Sequence, residues 1–132
     1  MPFELDERFI VAAEEKLGAS LPHSYRQAMR TSNGGEVLTH DDVWVLHPIL
    51  DTSARKRLTR SCNDILHETG FMRDWPGWPQ NALAIACNGG GDRLVLLKEN
   101  GRYEPTVYAR LHDTSELVAV AAVFSDLERQ PS

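Results

Sequence analysis

The sequence predicts an α+β fold, a mainly antiparallel sheet of about four strands packed by helices, in the order α-α-β-α-β-β-β-α. Three observations carry it. Apolar residues recur at helical spacing near both ends of the chain, over 5–17 and again over 117–127. Two apolar runs flank the glycine-rich tract Asn88-Gly89-Gly90-Gly91-Asp92, the pattern of an antiparallel hairpin. A second turn signal, Asn100-Gly101, leads into a further β-type run. Helices gathered at the ends with strands meandering between them give a segregated α+β arrangement.

In chain order, Leu5, Phe9, Ala12, Ala13 and Leu17 form one stripe of a first helix, with Gly18 at its C-cap position. Pro22 suits the first turn of a second helix whose inner face is Tyr25, Ala28 and Met29, and Asn33-Gly34-Gly35 supplies the left-handed conformations that stop it. Val43-Trp44-Val45-Leu46 is β-branched and aromatic and reads as a strand. Asp51, Thr52 or Ser53 can cap a third helix carrying Leu58, Cys62, Ile65 and Leu66, with Gly70 as its stop. Two prolines make Trp75-Pro76-Gly77-Trp78-Pro79 a loop. The runs 83–87 and 93–98 are nearly continuous in hydrophobicity, which predicts central strands covered on both faces. Residues 106–111 continue the meander, and Asp113 with Glu116 reads as a capping-box variant opening a last helix with Leu117, Val120, Ala121, Phe124 and Leu127 inward.

At 132 residues with 42% hydrophobic content the chain can bury a core without staples, and a single domain over 1–132 is expected. No apolar run approaches the roughly 20 residues that span a bilayer, and the acidic start differs from a basic secretory signal. A cytoplasmic protein with no membrane partner is expected. Cys62 and Cys87 lie far apart inside apolar segments and read as buried, reduced thiols. A net charge of -5 argues against nucleic acid as a partner, since phosphate binding needs concentrated Lys and Arg. The local basic run Arg55, Lys56, Arg57 and Arg60 reads as a solvated helix face.

The residues that could carry chemistry do not assemble a catalyst. His23, His40, His47, His67 and His112 lack metal-ligand spacing, and in His40-Asp41-Asp42 at most His40 and Asp42 share a side of an extended chain, so no metal site is expected. The tract 88–92 leads into a strand and not into the helix N-terminus that a phosphate loop needs. No serine lies in a nucleophile elbow, and the paired carboxylates Asp41-Asp42 and Glu14-Glu15 sit where nothing desolvates them. The expectation is a non-catalytic binding domain.

The ordered set Leu17-Gly18, Leu21-Pro22 with Tyr25, Asn33-Gly34-Gly35, Trp44 with Leu46, Gly91-Asp92 and Gly101 resembles the SUKH superfamily. That superfamily comprises bacterial immunity proteins and fungal cell-wall-assembly regulators, and the resemblance spans essentially the whole chain. It implies an α+β fold, no cofactor, and neutralisation of a protein toxin as the role, with a regulatory scaffold on cell-wall or signalling proteins as the alternative. Apart from the resemblance, an active site assembled from residues distant in sequence, an unrecognised hydrolase, is the lesser alternative. The chain departs from the family where members often carry Trp on the strand before the last helix and this sequence reads Tyr108-Ala109-Arg110-Leu111-His112-Asp113. The glycines and the proline of the pattern act as determinants of backbone conformation.

Function is therefore expected on exposed surface. The expected protein-binding residues are Glu36, Asp41 and Asp42, the densest acidic stretch free of Lys and Arg, together with Trp75 and Trp78 on the proline-stiffened loop. An acidic patch steers toward a basic partner such as a nuclease toxin. Charge reversal at Asp41 and Asp42 is expected to leave folding nearly intact.

Overall fold

Helix α1 (Glu7–Leu17) begins where the Asp6 side chain accepts a bond from Arg8 N and ends on Gly18 at φ 68°, a left-handed cap that disfavours any side chain. It belongs to the computed structural model of the chain, which describes residues 3–129. Helix α2 (His23–Thr31) follows Pro22, which stands at the N-cap in extended conformation rather than inside the first turn. Ala13 and Leu17 of α1 and Tyr25 and Met29 of α2 are buried as their spacing predicts, whereas Ile10, outside the expected stripe, is fully buried and Ala12, inside it, is exposed. After α2, Asn33 works as a clamp. Its Nδ2 donates to Ile49 O and its Oδ1 accepts from Ile49 N, both at 2.8 Å.

The acidic stretch from Glu36 to Asp42 lies on a hairpin. Strand β1 (Glu36–Thr39) pairs with β2 (Asp42–Leu46) around a two-residue turn whose residues, His40 at φ 52° and Asp41 at φ 56°, are both left-handed. That is the type I′ geometry matching strand twist, and aspartate is among the residues that tolerate it. Val37 of β1 is fully buried opposite Trp44, so one face of this segment belongs to the core after all.

The third helix is two helices, α3 (Arg55–Ser61) and α4 (Ile65–Met72). Asp64 breaks the stripe by capping α4, accepting a 2.9 Å bond from His67 N. Gly70 consequently lies inside α4 and stops nothing, while Cys62 at the end of α3 is exposed, contrary to the buried position expected for it. None of Asp51, Thr52 and Ser53 is the cap of α3; Ala54 stands there without a side-chain bond. Asp51 is instead buried, accepting from Ser53 N at 2.9 Å and Ser53 Oγ at 2.6 Å, with Arg57 Nη1 at 3.4 Å.

Strands β3 (Ala82–Cys87) and β4 (Arg93–Glu99) form the expected central hairpin, and β5 (Arg102–Tyr103) folds back on β4 across Asn100-Gly101, both at positive φ. Strand β6 (Val107–Arg110) continues the meander. The expected last helix is a strand, β7 (Leu117–Ala121), paired antiparallel to β6, followed by a 3₁₀ turn (Phe124–Asp126) and the short strand β8 (Glu128–Arg129). The sheet among the described residues thus has eight strands rather than about four, in the order β7-β6-β4-β3-β2-β1-β8 with β5 off the end of β4, and every named pairing is antiparallel.

Side chains alternate between two faces of this sheet. On the inner face Trp44, Leu46, Leu83, Ile85, Leu94, Leu96, Val107 and Ala109 meet α1, α2 and Phe124 in the main core. On the outer face a smaller core forms where Met72 of α4 and Trp78 cover Ala82, Ala84 and Val95. Thr69 of α4 ties this second layer down, its Oγ1 accepting from Ala84 N at 2.8 Å. The central strands are therefore covered on both faces, as their continuous hydrophobicity predicts.

Candidate functional site

The part of the outer face that α4 and its following loop leave open is the candidate site. Strand register sets one transverse row across it: Glu36 lies opposite Val45, Val45 opposite Cys87, Cys87 opposite Arg93, Arg93 opposite Arg110, and Arg110 opposite Leu117. Directly opposite residues share a face, so six side chains from six strands line up on one side of the sheet. A second pair, Leu38 with Val43, lies beside the β1–β2 end. Val45 is 49% and Val43 43% exposed, an unusual placement for valines on a sheet whose other face is dry.

An aromatic ridge borders this row. Phe71, 65% exposed on α4, meets Trp75 edge-on at 6.4 Å between ring centroids, and Trp75 meets His112 at 5.7 Å. The Arg93 guanidinium sits over the Trp75 ring at 5.5 Å, and that of Arg110 over Trp78 at 5.4 Å. A hydrogen-bonded chain joins the ridge to the β1–β2 turn. Asn88 Nδ2 donates to Asp42 Oδ2 at 2.7 Å and to Asp92 Oδ2 at 3.1 Å, and Asp92 Oδ1 accepts from His112 N at 2.7 Å. The glycine-rich tract is a turn, as expected: Asn88 Oδ1 also receives Gly90 N and Asp92 N.

The five expected binding residues divide as follows. Glu36 is exposed at the end of the row, and Asp41 is exposed at the tip of its hairpin. Asp42 is exposed but engaged, holding both Asn88 and its neighbour Val43 N at 2.8 Å. Its charge reversal is consequently not neutral for folding, because it would release the turn at 88–92. Trp75 is half-buried and contributes to the ridge. Trp78 is 5% exposed and belongs to the second core, so it offers a partner nothing directly. Glu36 and the ridge are three strand spacings apart, about 14 Å, within one patch.

Phe71, Val43, Val45, Arg93 and Arg110 belong to this surface and were not expected from the sequence. The signal for Val43 and Val45 was the alternation around Trp44; Phe71 carried none, since it sits beside core-facing Met72 on a helix whose break was not foreseen.

Two titratable groups underlie the face. His47 is buried with Nε2 unpartnered among the described residues, and burial, with the nearby Arg93 charge, lowers its pKa to about 4. At neutral pH it is uncharged, and its 3.9 Å approach to Glu68 Oε1 is not an ion pair. Burial likewise pushes the Cys87 thiol up, more than Arg93 draws it down, with Glu68 adding to the rise. Among the described residues no group of three or more metal-type side chains converges. No helix of the described residues is long and apolar enough to cross a membrane.

Compared with known families, the chain matches the SMI1/KNR4 (SUKH-1) family model over residues 4–130. It belongs to the SMI1/KNR4 family. The match takes in all four helices and all eight strands of the described residues, and with it the resemblance to the SUKH superfamily stands. No curated protein and no solved structure matches the chain. The residues that carried the resemblance serve this fold: Gly18 caps α1, Asn33 clamps Ile49, Trp44 fills the core and Gly101 turns β4 into β5.

Proposed function

We propose that this SUKH-1 domain is a non-catalytic immunity protein that neutralises a protein toxin by binding it on the open outer face. The observation that carries the reading is exposed Val43 and Val45 on the sheet bordered by the ridge of exposed Phe71 and Trp75, apolar surface of the kind that marks protein contact sites. Family membership supports a binding role. A raised thiol pKa at Cys87 disfavours the thiolate that a nucleophile requires, which is in keeping with a non-enzymatic role. Glu36 and Asp41 at the rim are placed to speed encounter with a basic partner. The resemblance to the superfamily that includes fungal cell-wall-assembly regulators leaves a regulatory scaffold as the second reading.

Co-expression with a toxin encoded beside its gene is the test. The parent should restore growth, and Val45→Arg or Phe71→Ala should weaken binding at least about 10-fold, the size of a hot-spot loss, while the melting temperature stays within a few degrees. Asp41→Asn, which removes the charge and keeps a residue that tolerates the left-handed turn, should slow association at low salt and leave stability nearly unchanged. Full killing in the presence of abundant folded parent protein would remove the immunity reading. A constitutive complex with a host protein, with no toxin gene nearby, would replace it with the scaffold.

A further inference from the structure

Arg93 and Arg110 face each other directly on neighbouring strands, an arrangement of like charges that destabilises a sheet unless something offsets it. In a chain of net charge -5 the expected offset is a carboxylate, yet among the described residues neither guanidinium has one within ion-pair distance. Carbonyls and a hydroxyl hold them instead. Arg93 Nη1 donates to Gly91 O at 3.0 Å and Asp92 O at 3.2 Å, while Arg110 Nη2 donates to Pro76 O at 2.9 Å and Ser115 Oγ at 3.1 Å. The Nε of each is buried without a partner among the described residues. Arg110 is only 2% exposed, so its cation is built into the protein and not left on the surface by default.

Above Arg110 lies a pocket of about 350 Å³ lined by Trp75, Pro76, Arg110, His112 and Ser115. Its shape depends on close approach. A side chain at Gly77, which has φ 75°, would meet Ser115 Oγ at 2.8 Å and Arg110 Nη2 at 3.7 Å. The nearest acid of the turn, Asp92, spends its oxygens on Asn88 and on His112 N. The pocket therefore combines a guanidinium with no carboxylate partner among the described residues, a hydroxyl and two aromatic walls.

We propose that this pocket is an oxyanion site and that it receives an aspartate or glutamate side chain of the partner protein, with Arg110 at its base and Arg93 adding charge from the next strand. The source of the carboxylate rests on the binding role proposed above. The site itself does not. A carboxylate there would complete a charge-assisted pair with a buried guanidinium beside aromatic rings, and such bonds are stronger than neutral ones. It would fix the register of a partner whose other contacts, along Val43, Val45 and Phe71, are non-directional.

The test uses the isolated protein and small probes, so its outcome is independent of the toxin. Arginine Nε–Hε resonances are followed by NMR during titration with sodium acetate, a short glutamate peptide and inorganic phosphate, each against sodium chloride at equal ionic strength. Saturating shifts at Arg110 with acetate and with the peptide are expected. Ser115→Asp places a carboxylate in the pocket within the chain, and aspartate tolerates the φ of 61° found there. That variant should melt a few degrees higher than the parent and lose the acetate response, and Arg110→Gln should lose it too. If Arg110→Gln fails to fold, Ser115→Asp still reports on the same pocket. Absence of an acetate response in the parent overturns the proposal. So does a response that survives Ser115→Asp, and phosphate binding without acetate or peptide binding overturns the carboxylate assignment.

Discussion

His47 is the residue at which burial leaves the plainest mark on stability. Its folded pKa of about 4 lies below the ordinary histidine value of 6.5, so the unfolded chain binds a proton that the folded chain refuses. Stability from this group is complete above about pH 7, falls as pH drops through the window between 6.5 and 4, and falls no further below it. The loss between pH 7 and pH 5 should be about 2 kcal/mol, measured by urea unfolding. His47→Leu should flatten that segment of the curve; an unchanged slope would show that carboxylates alone set the acid limit. Gly91 is the residue where backbone conformation decides. It has φ 91°, and a Cβ there would come 3.3 Å from the His112 ring. Gly91→Val should cost about 1–3 kcal/mol by thermal or urea unfolding, and a melting temperature equal to the parent's would contradict the strained turn. The glycine's role was legible because turn chemistry is local. The different fates of Trp75 and Trp78 were not, since two tryptophans on one proline-stiffened loop carry the same sequence signal. Trp78 turns down onto Ala82, Ala84 and Val95, and Trp75 toward His112, for reasons that lie on other strands.

Among elements, those built on local signals matched expectation and those decided by tertiary pairing did not. Helices α1 and α2, the β3–β4 hairpin and the Asn100-Gly101 turn each carry their cap or turn residues within the segment itself. The segment Leu117-Val118-Ala119-Val120-Ala121 is apolar throughout and satisfies helical and strand periods alike, and Asp113 and Glu116 imitate a capping box. Pairing with β6 decides for the strand, a choice its valines permit. The missed break between α3 and α4 has the same origin in reverse. Leu58, Cys62, Ile65 and Leu66 repeat with helical spacing, yet Leu58 and Cys62 are exposed and only the Ile65 end faces the core. Asp64, buried and capping, is what makes α4 a separate element, so Asp64→Ala should destabilise the fold by about 1 kcal/mol, a typical capping loss, in urea titration. Circular dichroism should show the helical signal of α4 weakening with it. If the loss is absent, the helix break is set by packing at Ile65 and not by the cap.

For the whole molecule, the decisive feature is that the chain's last described strand returns to its first hairpin. Strand β8 pairs with β1 through Arg129 opposite Val37 and Glu128 opposite Leu38. Arg129 Nη2 also donates to Ser32 O and Gly34 O, both at 2.9 Å, where α2 hands over to β1. Just before it, Phe124 packs edge-on against Tyr25 of α2 at 5.1 Å, inside the main core. The 3₁₀ turn and β8 therefore join α2 to the sheet edge rather than decorating it, and they give β1 its outer hydrogen-bonding partner. Removing one large side chain should test this coupling. Phe124→Ala leaves a cavity against the Tyr25 ring, and large-to-small core changes of this kind cost about 3–5 kcal/mol. The variant should lose that much in urea unfolding while keeping a single cooperative transition, as expected when both sheet edges fold with one core. Hydrogen exchange should quicken at the β1 amides whose partners lie on β8, and it should quicken far less in β3 and β4, which are paired on both sides independently of the C-terminal segment. A loss below about 1 kcal/mol, with β1 exchange unchanged, would mean that the closing segment is an appendage and that the edge of the binding face is held by the hairpin alone.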